Sequence, residues 1–306
     1  MVFRALNRTC PDSVPPEALA TLQNRFRLDL KRNLLYAKEL FRLLDLFDLA
    51  GIQAIPFKGP VLAWSIYETP GLRFVSDLDL FVPQRDIGRA IDLLTSTGYR
   101  PFGPPIGLRF LLDSGQSILR RPDGGFAVDL HWRLVAAHFS PLDDAELRSR
   151  LAPVDMAGRR TPTFCPDDLF AFLCAHGAIH GWDSLLNVCD LARLIDACPL
   201  DWDAILSRAE RQCMSRIVSL GLCLTQDLLG SNLPPEIASH IRADSRLAAL
   251  ASSVCKRLQD GGQAGLREQF SLKLHLMEGS GRKLRFLWYH LRFSSLKSLA
   301  DAFHLA

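Results

Sequence analysis

The spacing of apolar residues changes period twice along this chain, and those changes restrict its fold more than any single motif. From Glu17 to Ala50, Leu19, Leu22, Phe26, Leu30, Leu34, Leu40, Leu43, Leu44 and Phe47 recur at three- and four-residue steps. That spacing predicts one long amphipathic helix or a helix pair, stopped by Gly51. Between residues 51 and 164 the period shortens. Apolar runs at Gln53–Phe57, Asp77–Val82, Ser117–Arg120 and Phe126–Trp132 alternate with helical text at Pro60–Tyr67, Arg85–Thr97 and Ile106–Leu112. Pro122-Asp123-Gly124-Gly125 closes an antiparallel hairpin between the last two runs, and a further strand pair is predicted at Leu151–Met156 and Arg160–Phe164, joined through Gly158. From Pro166 onward the pattern is helix after helix.

The expected fold class is therefore α+β: a small mixed sheet flanked by helices, followed by an α-helical domain. The expected division is an N-terminal helical segment over 1–50, an α/β domain over 51–164 and a helical domain over 165–306, the halves packing closely. Of the 306 residues 48% are hydrophobic and 23% charged, which excludes disorder as the main state. The 36 Lys and Arg exceed the 33 Asp and Glu by only three, too few for the whole surface to attract nucleic acid or membrane. The eight cysteines contain no C-x-x-C pair, and Cys174, Cys189, Cys213 and Cys223 sit in apolar helical text. They read as small buried hydrophobes in a reducing compartment. Met1–Pro16 is broken by Arg4, Arg8, Asp12 and three prolines, and no run approaches the roughly 18 apolar residues of a membrane span. A cytoplasmic protein is expected.

The stretch Arg73-Phe74-Val75-Ser76-Asp77-Leu78-Asp79-Leu80-Phe81-Val82 carries the chemistry. In a strand, alternate side chains share a face, so Asp77 and Asp79 point together while Leu78 and Leu80 enter the core. Paired carboxylates repel unless a cation lies between them, and hard oxygen ligands favour Mg²⁺ or Mn²⁺. Downstream, Phe126, Val128, Leu130 and Trp132 alternate with Ala127, Asp129 and His131. A third carboxylate thus stands on the polar face of a second strand. Three acidic groups around divalent metal suit in-line phosphoryl or nucleotidyl transfer. Upstream, Gly59 permits close backbone approach, Pro60 suits a first helical position, and free amides there face an anion. Lys58 and Arg73 either add charge beside a triphosphate or serve as a surface lysine and a structural ion pair.

The pattern Lys58-Gly59, a short helix, Arg73, then Ser76-Asp77-Leu78-Asp79-Leu80, and later Val128-Asp129-Leu130-His131-Trp132 resembles the polymerase-beta-like nucleotidyltransferase superfamily. More narrowly it is similar to the branch of uncharacterised nucleotidyltransferases found in bacterial biosynthetic gene clusters. The similarity continues through His176-Gly177-Ala178-Ile179-His180-Gly181-Trp182 and Asp190-Leu191-Ala192-Arg193, over roughly Leu34 to Leu229. The resemblance implies Mg²⁺-dependent transfer from an NTP, ATP included. It also implies Asp77, Asp79 and Asp129 as catalytic metal ligands. Lys58, Gly59, Arg73 and Ser76 are the candidate nucleotide-binding residues. The chain departs from the superfamily's Gly-Gly or Gly-Ser loop, because Pro60 offers no N–H to phosphate, and the gap from Gly59 to Asp77 is longer.

His131, His176, His180 and Trp182 are acceptor-side candidates. His131 either positions or deprotonates the acceptor or is a hydrogen-bonded structural group. His176 and His180 share a helix face at zinc-ligand spacing, but the Glu of a zinc-protease motif and a third ligand are missing, so a polar contact is preferred. Asp190 and Arg193 pair with each other or with these histidines. From Arg282 to Ala306 there are five basic residues against one acidic, and Leu284, Leu287, Trp288 and Leu291 form an expected packing stripe. The leading expectation is an enzyme moving an NMP from an NTP to an unidentified acceptor: a small molecule, a peptide, a protein or a biosynthetic-cluster product. The alternatives are a non-catalytic nucleotide- or partner-binding module and a toxin-like tRNA nucleotidyltransferase, nucleic acid being the less favoured partner.

Overall fold

The computed structural model describes residues 2–102, 115–135, 139 and 144–290. These fall into two compact units. The first holds 2–102, 116–132 and 152–163; the second holds 115, 133–135, 139, 144–151 and 164–290. The helix expected over Ile106–Leu112 lies outside the described residues.

Unit 1 begins with α1 (Val2–Thr9) and α2 (Pro16–Leu49), one unbroken helix rather than a pair. Proline at its first position is already set to helical φ, and Gly51, at φ +64°, lets the chain turn away at the other end. Its buried face is Asn33, Tyr36, Leu40, Leu43 and Phe47, whereas Leu34, expected in the apolar stripe, is half exposed. The stripe shifts because Asn33 has a polar task inside. Its Nδ2 donates to the carbonyls of Pro70 and Arg73, and the Tyr36 hydroxyl donates to the Ser76 carbonyl at 2.6 Å. Helix α2 thereby holds the loop that leads into Asp77. Asn33→Ala leaves these loop carbonyls without their donor and should destabilise unit 1 by roughly 2–4 kcal/mol, read from the urea midpoint.

Five strands follow: β1 (Ile55–Pro56), β2 (Leu78–Phe81), β3 (Arg100–Pro101), β4 (Gln116–Arg120) and β5 (Ala127–His131). They form one mixed sheet in the order β1-β2-β5-β4-β3, with β2 and β5 parallel and every other pair antiparallel. The expected β4–β5 hairpin is present, with Gly124 at φ +71° in its turn. Most strands are shorter than their apolar runs, so Asp77 falls one residue before the ladder. Leu78, Leu80, Leu119, Val128 and Leu130 are fully buried on one sheet face. Helices α3 (Pro60–Ser65) and α4 (Ile87–Ser96) connect the strands. The strands β6 (Leu151–Met156) and β7 (Arg159–Phe164) make a separate two-stranded sheet.

A buried carboxylate links α2 to the end of α4. Glu39 accepts from the Tyr99 hydroxyl at 2.8 Å and from Arg42 at 2.6 and 2.9 Å. Burial pushes its pKa up, but the Arg42 and Tyr99 hydrogen bonds outweigh that and hold it below the ordinary value. A depressed folded pKa gives stability that is present above the unfolded value and lost as pH falls through the folded one. The stability advantage of wild type over Glu39→Gln should therefore be full at neutral pH and, in urea titrations, decline only as pH falls below the ordinary carboxylate range toward the lower folded value.

Unit 2 is helical: α5 (Asp144–Ser149), α6 (Pro166–Ile179), α7 (Leu185–Ala197), α8 (Trp202–Arg211), α9 (Ser215–Leu229), α10 (Pro235–Arg242), α11 (Ser245–Gln259) and α12 (Leu266–Leu276). Helix α9 is its centre and packs on α6, α7, α8, α10 and α11. Cys174 and Cys223 are buried, while Cys189 and Cys213 are partly exposed. Residues 280–290 are also helical, but their packing face differs from the expected stripe. Leu284 and Trp288 are exposed, and Phe286 and Tyr289 are buried instead. Phe286 and His290 both meet Phe270, the first tilted and the second edge-on, with ring centroids 5.2 Å from it, and these aromatic contacts choose the face. Arg282 is engaged as well, donating to the Gln212 carbonyl at 2.8 Å. Leu291 lies outside the described residues. No described helix is long and apolar enough to cross a membrane.

Candidate metal and nucleotide site

The parallel pairing of β2 with β5 sets Asp79 opposite Asp129 and Phe81 opposite His131. With Leu78 and Leu80 turned into the core, these groups share the other face of the sheet. His131 reaches between the two carboxylates, its Nε2 lying 3.5 Å from Asp79 Oδ1 and 3.4 Å from Asp129 Oδ2. Lys58 approaches from the end of β1, with Nζ 3.3 Å from Asp79 Oδ1. One ligand atom each from Asp79, Asp129 and His131 lies within 4.8 Å of the others. Asp79 Oδ2 and Asp129 Oδ1 are buried with no hydrogen-bond partner.

The charges answer one another. Burial raises the Asp79 pKa, but Lys58 and then His131 outweigh it and hold the carboxyl well below its usual range. Burial would lower His131, yet Asp129 and Asp79 raise it to about 9, so it is an imidazolium at neutral pH. Lys58 is likewise raised by Asp79 and Asp77 against the effect of burial. Asp77 differs: burial and then repulsion from Asp79 push it up to about 6. It feels the Asp79 and Asp129 charges but is not a member of the three-residue group.

Gly59 makes the bend between β1 and α3. Its φ of +53° and ψ of −122° suit glycine alone, and a Cβ there would lie 2.6 Å from the Asp77 carbonyl oxygen. The glycine is thus required by the close passage of the Asp77 backbone. Arg73, buried, donates to the Gly59 carbonyl at 3.2 Å and to that of Phe74 at 3.3 Å, bracing the same bend. Ser76 is exposed, and its carbonyl is the one that accepts from Tyr36.

The remaining candidates belong to unit 2. His176 and His180 stack with ring centroids 4.5 Å apart at the end of α6. Trp182, an acceptor-side candidate, is wholly enclosed and offers no face to a ligand. Its indole fills a slot over Gly177, where a Cβ would lie 2.6 Å from the ring. Asp190 is buried, and Arg193 pairs with Asp196 at 3.7 Å rather than with a histidine. Apolar periodicity does not single out Asn33 or Tyr36, although an asparagine in register with the apolar face of α2 is a readable sign of a buried polar task.

A divalent cation fits this donor set. Two buried carboxylate oxygens lack any partner, and hard anionic oxygens suit such an ion. A small mixed sheet bearing facing carboxylates on adjacent parallel strands, with a glycine bend beside them, defines a nucleotidyltransferase-type fold. The chain belongs to the family described as "Uncharacterised nucleotidyltransferase", which matches residues 1–230. Similar solved structures include a lincomycin-bound lincosamide antibiotic adenylyltransferase, LnuA, with 16% identity and a TM-score of 0.38, covering 53% of this chain and 97% of that one. An antigenic nucleotidyltransferase-like protein from Paracoccidioides brasiliensis shows 17% identity and a TM-score of 0.41, covering 66% of this chain and 89% of that one. The antibiotic-resistance factor ANT(2'')-Ia shows 15% identity and a TM-score of 0.33, covering 74% and 97%. No match is found among curated proteins.

Proposed function

We propose that this nucleotidyltransferase moves a nucleoside monophosphate from an NTP to an acceptor hydroxyl, amine or phosphate. In this reading Asp79 and Asp129, with Asp77 beside them, hold a divalent cation, Mg²⁺ by preference. The observation that carries the reading is a buried, partnerless oxygen on each of Asp79 and Asp129, residues set opposite one another on β2 and β5. When bound, the cation supplies charge neutralisation at the phosphoryl oxygens. The chain's own residues supply the alignment. Lys58 fixes the Asp79 carboxylate through Oδ1, and Arg73 keeps the Gly59 bend closed against the Asp77 backbone. The acceptor oxygen or nitrogen attacks the α-phosphorus while the bond to pyrophosphate breaks, and the Asp129 carboxylate takes the acceptor's proton. His131 holds its own proton at Nε2 between the carboxylates and steadies their separation.

Incubation with each NTP and Mg²⁺ should release pyrophosphate slowly even with water as acceptor, and EDTA should stop it. Pyrophosphate release that is indifferent to EDTA would overturn the metal assignment. Nucleotide binding with no release for any acceptor would favour a binding module.

A further inference from the structure

The sheet face that carries Asp79 and Asp129 continues outward across β4 and β3. In register, Asp129 opposes Ile118, Ala127 opposes Arg120, and Arg120 opposes Arg100. Directly opposed residues of an antiparallel pair share a face, so Ile118, Arg120 and Arg100 stand on the carboxylate side. Leu119, between them, is buried on the other. The Phe102 N–H donates to the Ile118 carbonyl at 2.8 Å, which sets Phe102 next outward in the row of Asp79, Asp129 and Ile118. The Arg120 guanidinium lies over the Phe102 ring, 3.7 Å from its centroid.

Three features make this cation a recognition group. Stacking on Phe102 fixes its plane and leaves its N–H edge available, the geometry that reads a carboxylate or phosphate. No carboxylate among the described residues forms an ion pair with it. Arg100 stands directly opposite, and like charges so placed destabilise a strand pair unless an anion joins them. Arg100 itself is turned back, donating to the Thr95 and Tyr99 carbonyls at 3.1 and 3.0 Å.

Position assigns this cation to the acceptor. Lys58, Gly59 and Arg73 lie on the β1 side of the carboxylates, and Arg120 lies on the β4 side. Two strand spacings, about 10 Å, separate the Asp129 strand from the Phe102 ring, with the half-buried Ile118 between. We infer that the acceptor carries a carboxylate or phosphate group about 10 Å from its reacting atom, bound by Arg120 while its apolar middle lies over Ile118. The acceptor's role rests on the proposed nucleotidyl transfer; the anion contact does not depend on catalysis.

The test is equilibrium binding to the full chain by ligand-observed NMR, with three probes of matched length: ω-hydroxyhexanoate, ω-hydroxybutyl phosphate and neutral ω-hydroxyhexanamide. Wild type should bind at least one charged probe about tenfold more tightly than the amide, and the tighter of the two identifies the anionic group. Arg120→Gln should erase that preference, and Arg120→Lys should retain part of it. Equal affinity of wild type for charged and neutral probes overturns the inference, as does a preference that survives Arg120→Gln. Loss of Mg–NTP affinity in Arg120→Gln, with probe binding intact, would move the cation to the donor and also overturn it. A charged-probe preference without pyrophosphate release for any acceptor would sink the proposed reaction and leave the Arg120 contact standing.

Discussion

Asp79→Asn is expected to lower pyrophosphate release at least a thousandfold, about 4 kcal/mol of transition-state stabilisation. Asp79 is the hinge of the charge arrangement, because Lys58 and His131 both face its Oδ1 and its Oδ2 has no partner in the chain. An amide keeps the shape but removes the negative charge that a cation requires. Lys58 and His131 each lose an ionic partner, so the variant should also unfold at lower urea. Asp129→Asn is expected to match the activity loss, since it removes the second partnerless oxygen. Mn²⁺ titration read by electron paramagnetic resonance separates the causes: both variants should lose tight binding. An Asp79→Asn protein that turns over normally would mean that the reacting groups lie elsewhere.

Gly59→Ala is the second large effect. A non-glycine residue at φ +53° and ψ −122° costs about 1–3 kcal/mol in backbone strain. The added Cβ would also press on the Asp77 carbonyl oxygen at 2.6 Å, which is backbone and cannot rotate away. The strand entry must then shift, carrying Asp77 and Asp79 with it. Displacement of about 1 Å in a site that works by alignment costs on the order of a hundredfold in rate. The expected result is a folded protein with a lower urea midpoint and a kcat reduced about a hundredfold. Gly98→Ala is the control for strain alone, because φ is +95° there and its Cβ would meet nothing within 4 Å. It should destabilise without a comparable loss of rate; equal losses in the two variants would remove Gly59 from the site.

The carboxylates are legible in the amino-acid sequence because alternation within a strand decides which side chains share a face. Asp79 with Leu78 and Leu80, and Asp129 with Val128 and Leu130, sort into polar face and core on that ground alone. The glycine at 59 is legible as a bend, although not the Asp77 carbonyl that requires it. Helical faces are less legible. On α2 the apolar periodicity includes Leu34, which is exposed, because a hydrophobic pattern does not foresee Asn33 turning inward to serve two carbonyls. In residues 280–290 the contacts of Phe270 with Phe286 and His290 outweigh the stripe of Leu284 and Trp288. Trp182 has the character of a binding aromatic and is a core residue seated on Gly177.

Local order in this protein, meaning where helices and strands run and which face of each strand is polar, follows from short-range periodicity and is written in the residues themselves. Which strands pair, in what register, and what charge then surrounds each acid is a long-range matter. It depends on β2 lying parallel to β5 with β4 beyond, a choice made by burial of the shared apolar face after distant segments meet. That pairing turns His131 from an open-face histidine into the cation between two carboxylates, and places Arg120 on the same face as both.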